Sequence, residues 1–357
     1  MKKTGLLVMA VVMCLVVLAA CAKPAPAPAP SPIETKTPVS TTSSTSINLR
    51  INDWGPSRAF TKSWEWWAAE VEQRTEKAVT FSIFFNEALG ASEDQIDNIK
   101  AGVFDMGVAN PAYAPGKTPL HTVVTIPMLT GDMTAMEKAL AEIEALSAMK
   151  AELTAWNAKF LFAVGSPSYQ YVGKKPVYEA GDFKGLRIRT AGEFAKLADE
   201  LGAVVVPMAA PEVYEAVLRN TIDGVWFTLS AIDSYKLYEV AEYVSIAGLG
   251  SLAFPFVISM DTWNSLDSKT QTIMLEVAHQ VPDKSNEFTT QSESASIEKI
   301  KAAGVEVSEL SAAERAKLQT LADPLWAFWV SDMNKRGLPG QEILDAFLNE
   351  ISKYEKQ

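Results

Sequence analysis

Apolar positions along this chain switch repeatedly between a period of two and a period near 3.6, marking out alternating strands and helices. Ile47–Asn52 alternates apolar and polar side chains and predicts a strand. Over Thr61–Arg74, Trp64, Trp67, Ala68 and Val71 fall on one helix face. Val79–Phe85, rich in β-branched and aromatic residues, predicts a second strand, and Phe104–Asn110 a third. Between them, Ser92-Glu93-Asp94-Gln95 has the form of a capping box opening a helix through Ile96 and Ile99, which Gly102 stops. The order then recurs. Leu186–Arg189 predicts a strand, and Thr190-Ala191-Gly192-Glu193 a capping box for a helix carrying Phe194, Leu197, Ala198 and Leu201. Ala203–Pro207 predicts a strand, Pro211–Asn220 a helix with proline at its start, and Ile222–Thr228 a strand.

Strands alternating with helices of this length predict βαβ units with right-handed crossovers, and two such units predict two α/β lobes. Between them lie a long Ala/Glu/Leu-rich helix, Thr134 to about Trp156, and a strand at Phe160–Val164. After the second unit come a strand at Ala253–Ser259 and helices over about Ser268–Ala303, Ser311–Arg336 and Gln341–Lys356. Pro282 and Pro324 should interrupt or kink the first two. The chain then passes between lobes more than once. Residues 47–165 with about 254–295 are expected to form the first lobe, and residues 166–253 with about 296–357 the second.

The N-terminal segment has a different character. Lys2 and Lys3 precede a continuous apolar stretch, Leu6–Ala20, of fifteen residues. That is shorter than the roughly 20 a spanning helix needs, so residues 1–20 read as an export signal. Leu18-Ala19-Ala20-Cys21 resembles a lipobox, in which Cys21 is lipidated and becomes the mature N-terminus; an ordinary cleavage site or plain anchor are the alternatives. The only other cysteine is Cys14, inside the export signal. Residues 21–46, Pro-Ala repeats followed by Ser and Thr, cannot bury a core and read as a tether. A globular domain held at a membrane, outside the cytoplasm, is therefore expected.

Composition narrows the function. With 32 Lys and Arg against 43 Asp and Glu, the formal net charge is −11. No nucleic-acid partner is expected, because phosphate neutralisation needs clustered cations. The two histidines, His121 and His279, have no metal-ligand spacing, and neither a P-loop nor a G-x-S-x-G elbow occurs. Gly248-Leu249-Gly250-Ser251-Leu252-Ala253 matches G-x-G-x-x-A, but Pro255 stands where a dinucleotide-binding helix must begin. Neither an enzyme nor a cofactor is expected.

In open sheets ligands sit outside the carboxyl ends of the strands. Trp54, Asn110, Arg189, Trp226 and Phe227 lie there. Arg189 directly precedes Thr190, the expected N-cap, so a guanidinium and a helix N-terminus would share one spot suited to a carboxylate. A surface arginine paired with Glu193 is the alternative. Tyr113, Tyr169 and Tyr214 also lie near strand ends, where single aromatics more often pack than bind.

An ordered set of segments resembles the DctP-type substrate-binding proteins of TRAP (tripartite ATP-independent periplasmic) transporters. It includes Trp64-Glu65-Trp66-Trp67-Ala68-Ala69-Glu70-Val71, Gly102-Val103-Phe104-Asp105-Met106-Gly107, Asp182-Phe183-Lys184-Gly185-Leu186-Arg187-Ile188-Arg189, Pro211-Glu212-Val213-Tyr214-Glu215-Ala216-Val217 and Ile222-Asp223-Gly224. The resemblance runs from about residue 48 to 335. It implies an α/β, two-lobed, periplasmic-binding-protein-like fold with mixed sheets, hinge strands and a long lobe-spanning helix, closing over a small organic acid. It also implies small and large TRAP membrane subunits as partners and an ion gradient as the driving force. A sensing receptor for a signalling partner, or the binding component of another uptake system, is the alternative.

The family's carboxylate-binding arginine falls on Arg189. Elsewhere the pattern departs. A second arginine of sialic-acid-binding members falls near Tyr169-Gln170-Tyr171, a polar residue after the first strand falls on Trp54, and an asparagine after the Asp-Gly turn falls on Phe227. Asn110 stays polar. A dicarboxylate or sugar acid would leave polar groups unpaired against such walls, at about 1–3 kcal/mol each. The expected ligand is a monocarboxylate with an apolar or aromatic body.

Overall fold

A computed structural model describes residues 46–355; the expected export signal, Cys21 and most of the tether lie outside the described residues. In chain order the strands are β1 (Ile47–Asn52), β2 (Val79–Phe84), β3 (Met106–Val108), β4 (Ala158–Ser166), β5 (Gln170–Gly173), β6 (Arg187–Arg189), β7 (Val204–Val205), β8 (Gly224–Phe227), β9 (Tyr243–Ile246), β10 (Leu252–Ser259) and β11 (Glu306–Glu309). The helices are α1 (Ala59–Arg74), α2 (Gln95–Lys100), α3 (Met133–Ile143), α4 (Ser147–Ala155), α5 (Phe194–Glu200), α6 (Val213–Leu218), α7 (Leu229–Ser234), α8 (Met260–Ser265), α9 (Ser268–Ala278), α10 (Val281–Ala302), α11 (Ala312–Lys335) and α12 (Gly340–Tyr354).

Two mixed sheets carry the two lobes. The first runs β2-β1-β3-β10-β4 and the second β11-β9-β5-β8-β6-β7. The βαβ pattern supplies the parallel pairs β1–β2, β1–β3, β6–β7 and β6–β8. Returning segments add β10 antiparallel to β3 and β4, and β5 antiparallel to β8 and β9. In the first lobe, the apolar face of α1 fills the core. Trp67 packs on Phe81, Phe162 and Phe256 with ring centroids 5.2–5.9 Å apart, and its indole N–H donates to the Met274 carbonyl (3.1 Å). Buried aromatics of this size dominate the energetics of such a core.

Two short segments run directly from one sheet to the other, β4 into β5 and β9 into β10, and they are tied side by side. Tyr169 N–H donates to the Gly250 carbonyl, and Leu249 N–H to the Tyr169 carbonyl, both at 3.0 Å. The helix α10 touches α1 and α3 of the first lobe as well as α7 of the second. Gly250 has φ +108°, and a Cβ there would lie 2.7 Å from the Met128 amide nitrogen. Gly250→Ala is therefore expected to cost about 1–3 kcal/mol of stability, read as a lower urea midpoint, whereas Gly116→Ala, with open space around it, should be nearly silent.

Several expected local features turn out differently. Ser92–Asp94 is a 3-10 turn, with no capping box at Gln95. The Gln95 amide is drawn instead to Asn52, donating to its carbonyl (2.8 Å) and accepting from its side chain (3.0 Å). Thr190 caps no helix, because Gly192 at φ +62° turns the chain and α5 starts only at Phe194. The long helix expected over Thr134–Trp156 is broken between α3 and α4, a corner that lets both Glu144 and Glu152 reach His121. Pro282 stands in the first turn of α10, where it separates that helix from α9, and Pro324 lies within α11. The C-terminal helix α12 packs on α3 of the first lobe, not with the second lobe as expected, because Ile343, Leu344, Phe347 and Ile351 form one buried face.

Candidate functional site

The carboxyl ends of the two sheets face one another across a crevice with a free volume of about 70 Å³. That is far too little for a peptide or nucleic acid. Trp54, Phe60, Tyr113, Tyr169, Phe194, Phe227, Tyr235 and Phe254 supply its aromatic walls. Ser166, Thr190, Thr228 and Ser230 add hydroxyls, and Arg58 and Arg189 add guanidinium groups.

Arg189 ends β6 and is only 3% exposed. Its Nε donates to the Met208 carbonyl (3.1 Å), its Nη2 donates to the Tyr113 hydroxyl (3.3 Å), and its Cζ lies 5.0 Å from the centre of the Phe227 ring. Among the described residues no carboxylate pairs with it. Glu193, its possible surface partner, is paired with Lys196 at 2.5 Å instead. A buried cation without an acid is costly, and an incoming carboxylate removes that cost. The expected help from a helix N-terminus is absent: α5 spans only seven residues and starts beyond Gly192.

Arg58 was not foreseen. It lies at the start of α1 and donates through Nη1 to Asp53 Oδ2 (2.7 Å) and to the Pro56 carbonyl (2.8 Å). Its guanidinium carbon sits 5.3 Å from the Trp54 ring and 4.8 Å from that of Phe60. Burial pushes the Asp53 carboxyl up while Arg58 pulls against it, and the close contact holds the two as an ion pair. The Asp53–Arg58 pair balances its own charge, leaving Arg189 as the uncompensated cation of the crevice. The strand-end rule could have found Arg58, since it falls in the loop leaving β1.

Of the residues singled out from the sequence, Arg189, Asn110, Trp54, Phe227, Tyr169 and Tyr113 line the crevice. Asn110 Oδ1 accepts from the Ala112 amide (2.9 Å). Trp226 and Tyr214 do not line it. Neighbours along a strand face opposite sides, so with Phe227 on the crevice Trp226 is driven into the core against Phe183 and Phe194. Tyr214 donates its hydroxyl to Glu239 at the surface (3.1 Å). Burial raises the phenols of Tyr169 and Tyr235, which therefore stay protonated at neutral pH.

Residues 52–332 match the family described as bacterial extracellular solute-binding protein, family 7. A solute-binding protein of Chromohalobacter salexigens is 27% identical over 278 residues, which span 75% of this chain and 81% of that one. Among solved structures, a TRAP solute-binding protein from Rhodoferax ferrireducens T118, in complex with copurified benzoate, superposes with a TM-score of 0.81. It is 22% identical and the match covers 87% of this chain and 99% of that chain. A TRAP periplasmic solute-binding protein from Chromohalobacter salexigens, with bound D-glucuronate, has a TM-score of 0.75 at 25% identity, covering 84% and 99%.

Proposed function

The chain belongs to family 7 of the bacterial extracellular solute-binding proteins, and from that premise we propose that this TRAP solute receptor binds a monocarboxylate with an apolar or aromatic body. The observation that carries the proposal is the charge count of the crevice. One guanidinium, Arg189, has no acid partner among the described residues, while the second, Arg58, is already balanced by Asp53. One ligand carboxylate fits that balance. A second would face aromatic rings on most sides and lose its hydration without a cation to replace it.

Both aromatic and sugar acids occupy the fold, since one neighbour holds benzoate and another D-glucuronate. The choice therefore lies in the side chains, and here Trp54, Phe60, Phe227 and Phe254 favour a flat apolar body over a polyol. Binding between lobes would shift the population towards a closed form, which the TRAP membrane subunits receive. A lipid on Cys21 and the Pro-rich tether belong to the same proposal, keeping the receptor close to those subunits outside the cytoplasm.

Mass spectrometry of the acid that copurifies with the full chain, followed by a thermal-shift series, tests this. Benzoate and branched aliphatic monocarboxylates should raise the unfolding midpoint more than succinate or D-glucuronate at equal concentration. A larger shift with either of the last two would overturn the proposal.

A further inference from the structure

We infer that the crevice contains a second polar anchor, Tyr235 with Arg58, which selects aromatic acids carrying a ring hydroxyl away from the carboxylate. The inference rests on the aromatic monocarboxylate reading and extends it to the other end of the ligand.

Tyr235 follows α7 in the second lobe, and its hydroxyl is buried with no hydrogen-bond partner among the described residues. Arg58 comes from the first lobe. The two meet over Gly55: a Cβ there would lie 2.3 Å from Tyr235 Oη and 2.6 Å from Arg58 Nη1. Only a residue without a side chain lets phenol and guanidinium converge in this way. Nη1 of Arg58 is committed to Asp53 and Pro56, whereas Nε and Nη2 have no partner among the described residues, and Arg58 lines the crevice.

The chemistry of this pair differs from that of Arg189. With its charge balanced by Asp53, Arg58 offers hydrogen-bond donors more than net charge, and a neutral phenol both donates and accepts. The matching group is a neutral hydroxyl. Both anchors abut Phe227: Arg189 Cζ is 5.0 Å from that ring centre, and the Tyr235 ring is 5.6 Å from it at an interplanar angle of 34°. Phe227 is thus the surface that both anchors share, and Arg189, Phe227, Tyr235 and Arg58 all line the one crevice. A ligand ring lying along Phe227 would place its carboxylate at Arg189 and its hydroxyl at Tyr235. An unsubstituted acid would leave the Tyr235 phenol buried and unpaired, and sites built around such a group discriminate against the analogue that lacks the hydroxyl.

Calorimetry with benzoate, 3-hydroxybenzoate and 4-hydroxybenzoate on the full chain tests the anchor. The better of the two hydroxylated acids should bind the wild type about tenfold tighter than benzoate. Tyr235→Phe, which keeps the ring against Phe227, should bring that pair to within about twofold of each other. Arg58→Lys, which retains a cation for Asp53, should narrow the same ratio. Equal affinities in the wild type, or equal losses for all three acids in Tyr235→Phe, would overturn the anchor and leave the parent reading intact. Binding of none of the three would overturn the anchor, and the parent reading would then stand or fall on the copurified acid and the branched aliphatic monocarboxylates of the thermal-shift series.

Discussion

Arg189→Ala is expected to weaken binding of a verified carboxylate ligand by about 2–5 kcal/mol, roughly thirty- to several-thousand-fold. Two terms combine. The ligand carboxylate loses a charge-assisted partner, and it remains buried among Trp54, Tyr113 and Phe227 with nothing to replace its water. The Met208 carbonyl and the Tyr113 hydroxyl, which now accept from the guanidinium, also lose their donor. Arg189→Lys should recover little of the loss. An ammonium cannot hold the Met208 carbonyl and the Tyr113 hydroxyl while presenting a planar fork to the acid, and it lacks the flat face that Phe227 meets. Titration calorimetry reads both variants. Affinity for the verified acid within about twofold of the wild type in Arg189→Ala would remove this residue from the site.

Most of the framework was legible in the sequence because it is written in local periodicity. The α1 face of Trp64, Trp67, Ala68 and Val71, the strand at Ile47–Asn52 and the Pro282 break follow from patterns a few residues long. The place of Arg189 on the crevice was legible for a different reason: it ends a strand, at the carboxyl ends where crossovers leave an opening. What escaped depends on distant partners. Gln95 resembles a capping residue until Asn52, forty-three positions earlier in the chain, claims its amide. The uninterrupted helical pattern from Thr134 onwards gives no sign that His121 needs both Glu144 and Glu152. β5 carries the antiparallel pairing of the second sheet within Gln170–Gly173, too short to establish a period. Arg58 and Tyr235 come from different lobes, and nothing in the intervening chain announces that they meet over Gly55. Position at a strand end alone places both Trp226 and Phe227 on the crevice, whereas strand alternation permits only one of two neighbours to face it.

His121 carries the largest expected effect on stability. Its ring is fully buried, with Nδ1 2.5 Å from Glu152 Oε2 and Nε2 2.6 Å from Glu144 Oε1. Burial alone would push its pKa down, but Glu144 first and then Glu152 outweigh it and raise the value to about 10. The ring is then an imidazolium at neutral pH, donating from both nitrogens. Glu152 also accepts the amides of Leu120 (2.8 Å) and His121 (3.1 Å), so the charge cluster fixes this loop against the α3–α4 corner.

The consequence runs into the site. Thr122 accepts the Trp329 indole N–H (2.7 Å), and Thr125 accepts the Glu193 amide (3.3 Å) beside the crevice residues Thr190 and Ala191. His121→Ala leaves two carboxylates buried without their cation and is expected to cost about 3–5 kcal/mol. The pH dependence has a definite sign. An unfolded histidine loses its proton near pH 6.5, whereas the folded one holds it to about 10. The stability it contributes is therefore complete below about 6.5 and falls as pH rises towards 10, by about 1.4 kcal/mol per pH unit at most. Urea midpoints at pH 6 and pH 9 should drop more for the wild type than for His121→Ala. Equal drops in the two proteins would show that His121 is not the group that titrates, and a wild type more stable at pH 9 would reverse the sign of the linkage.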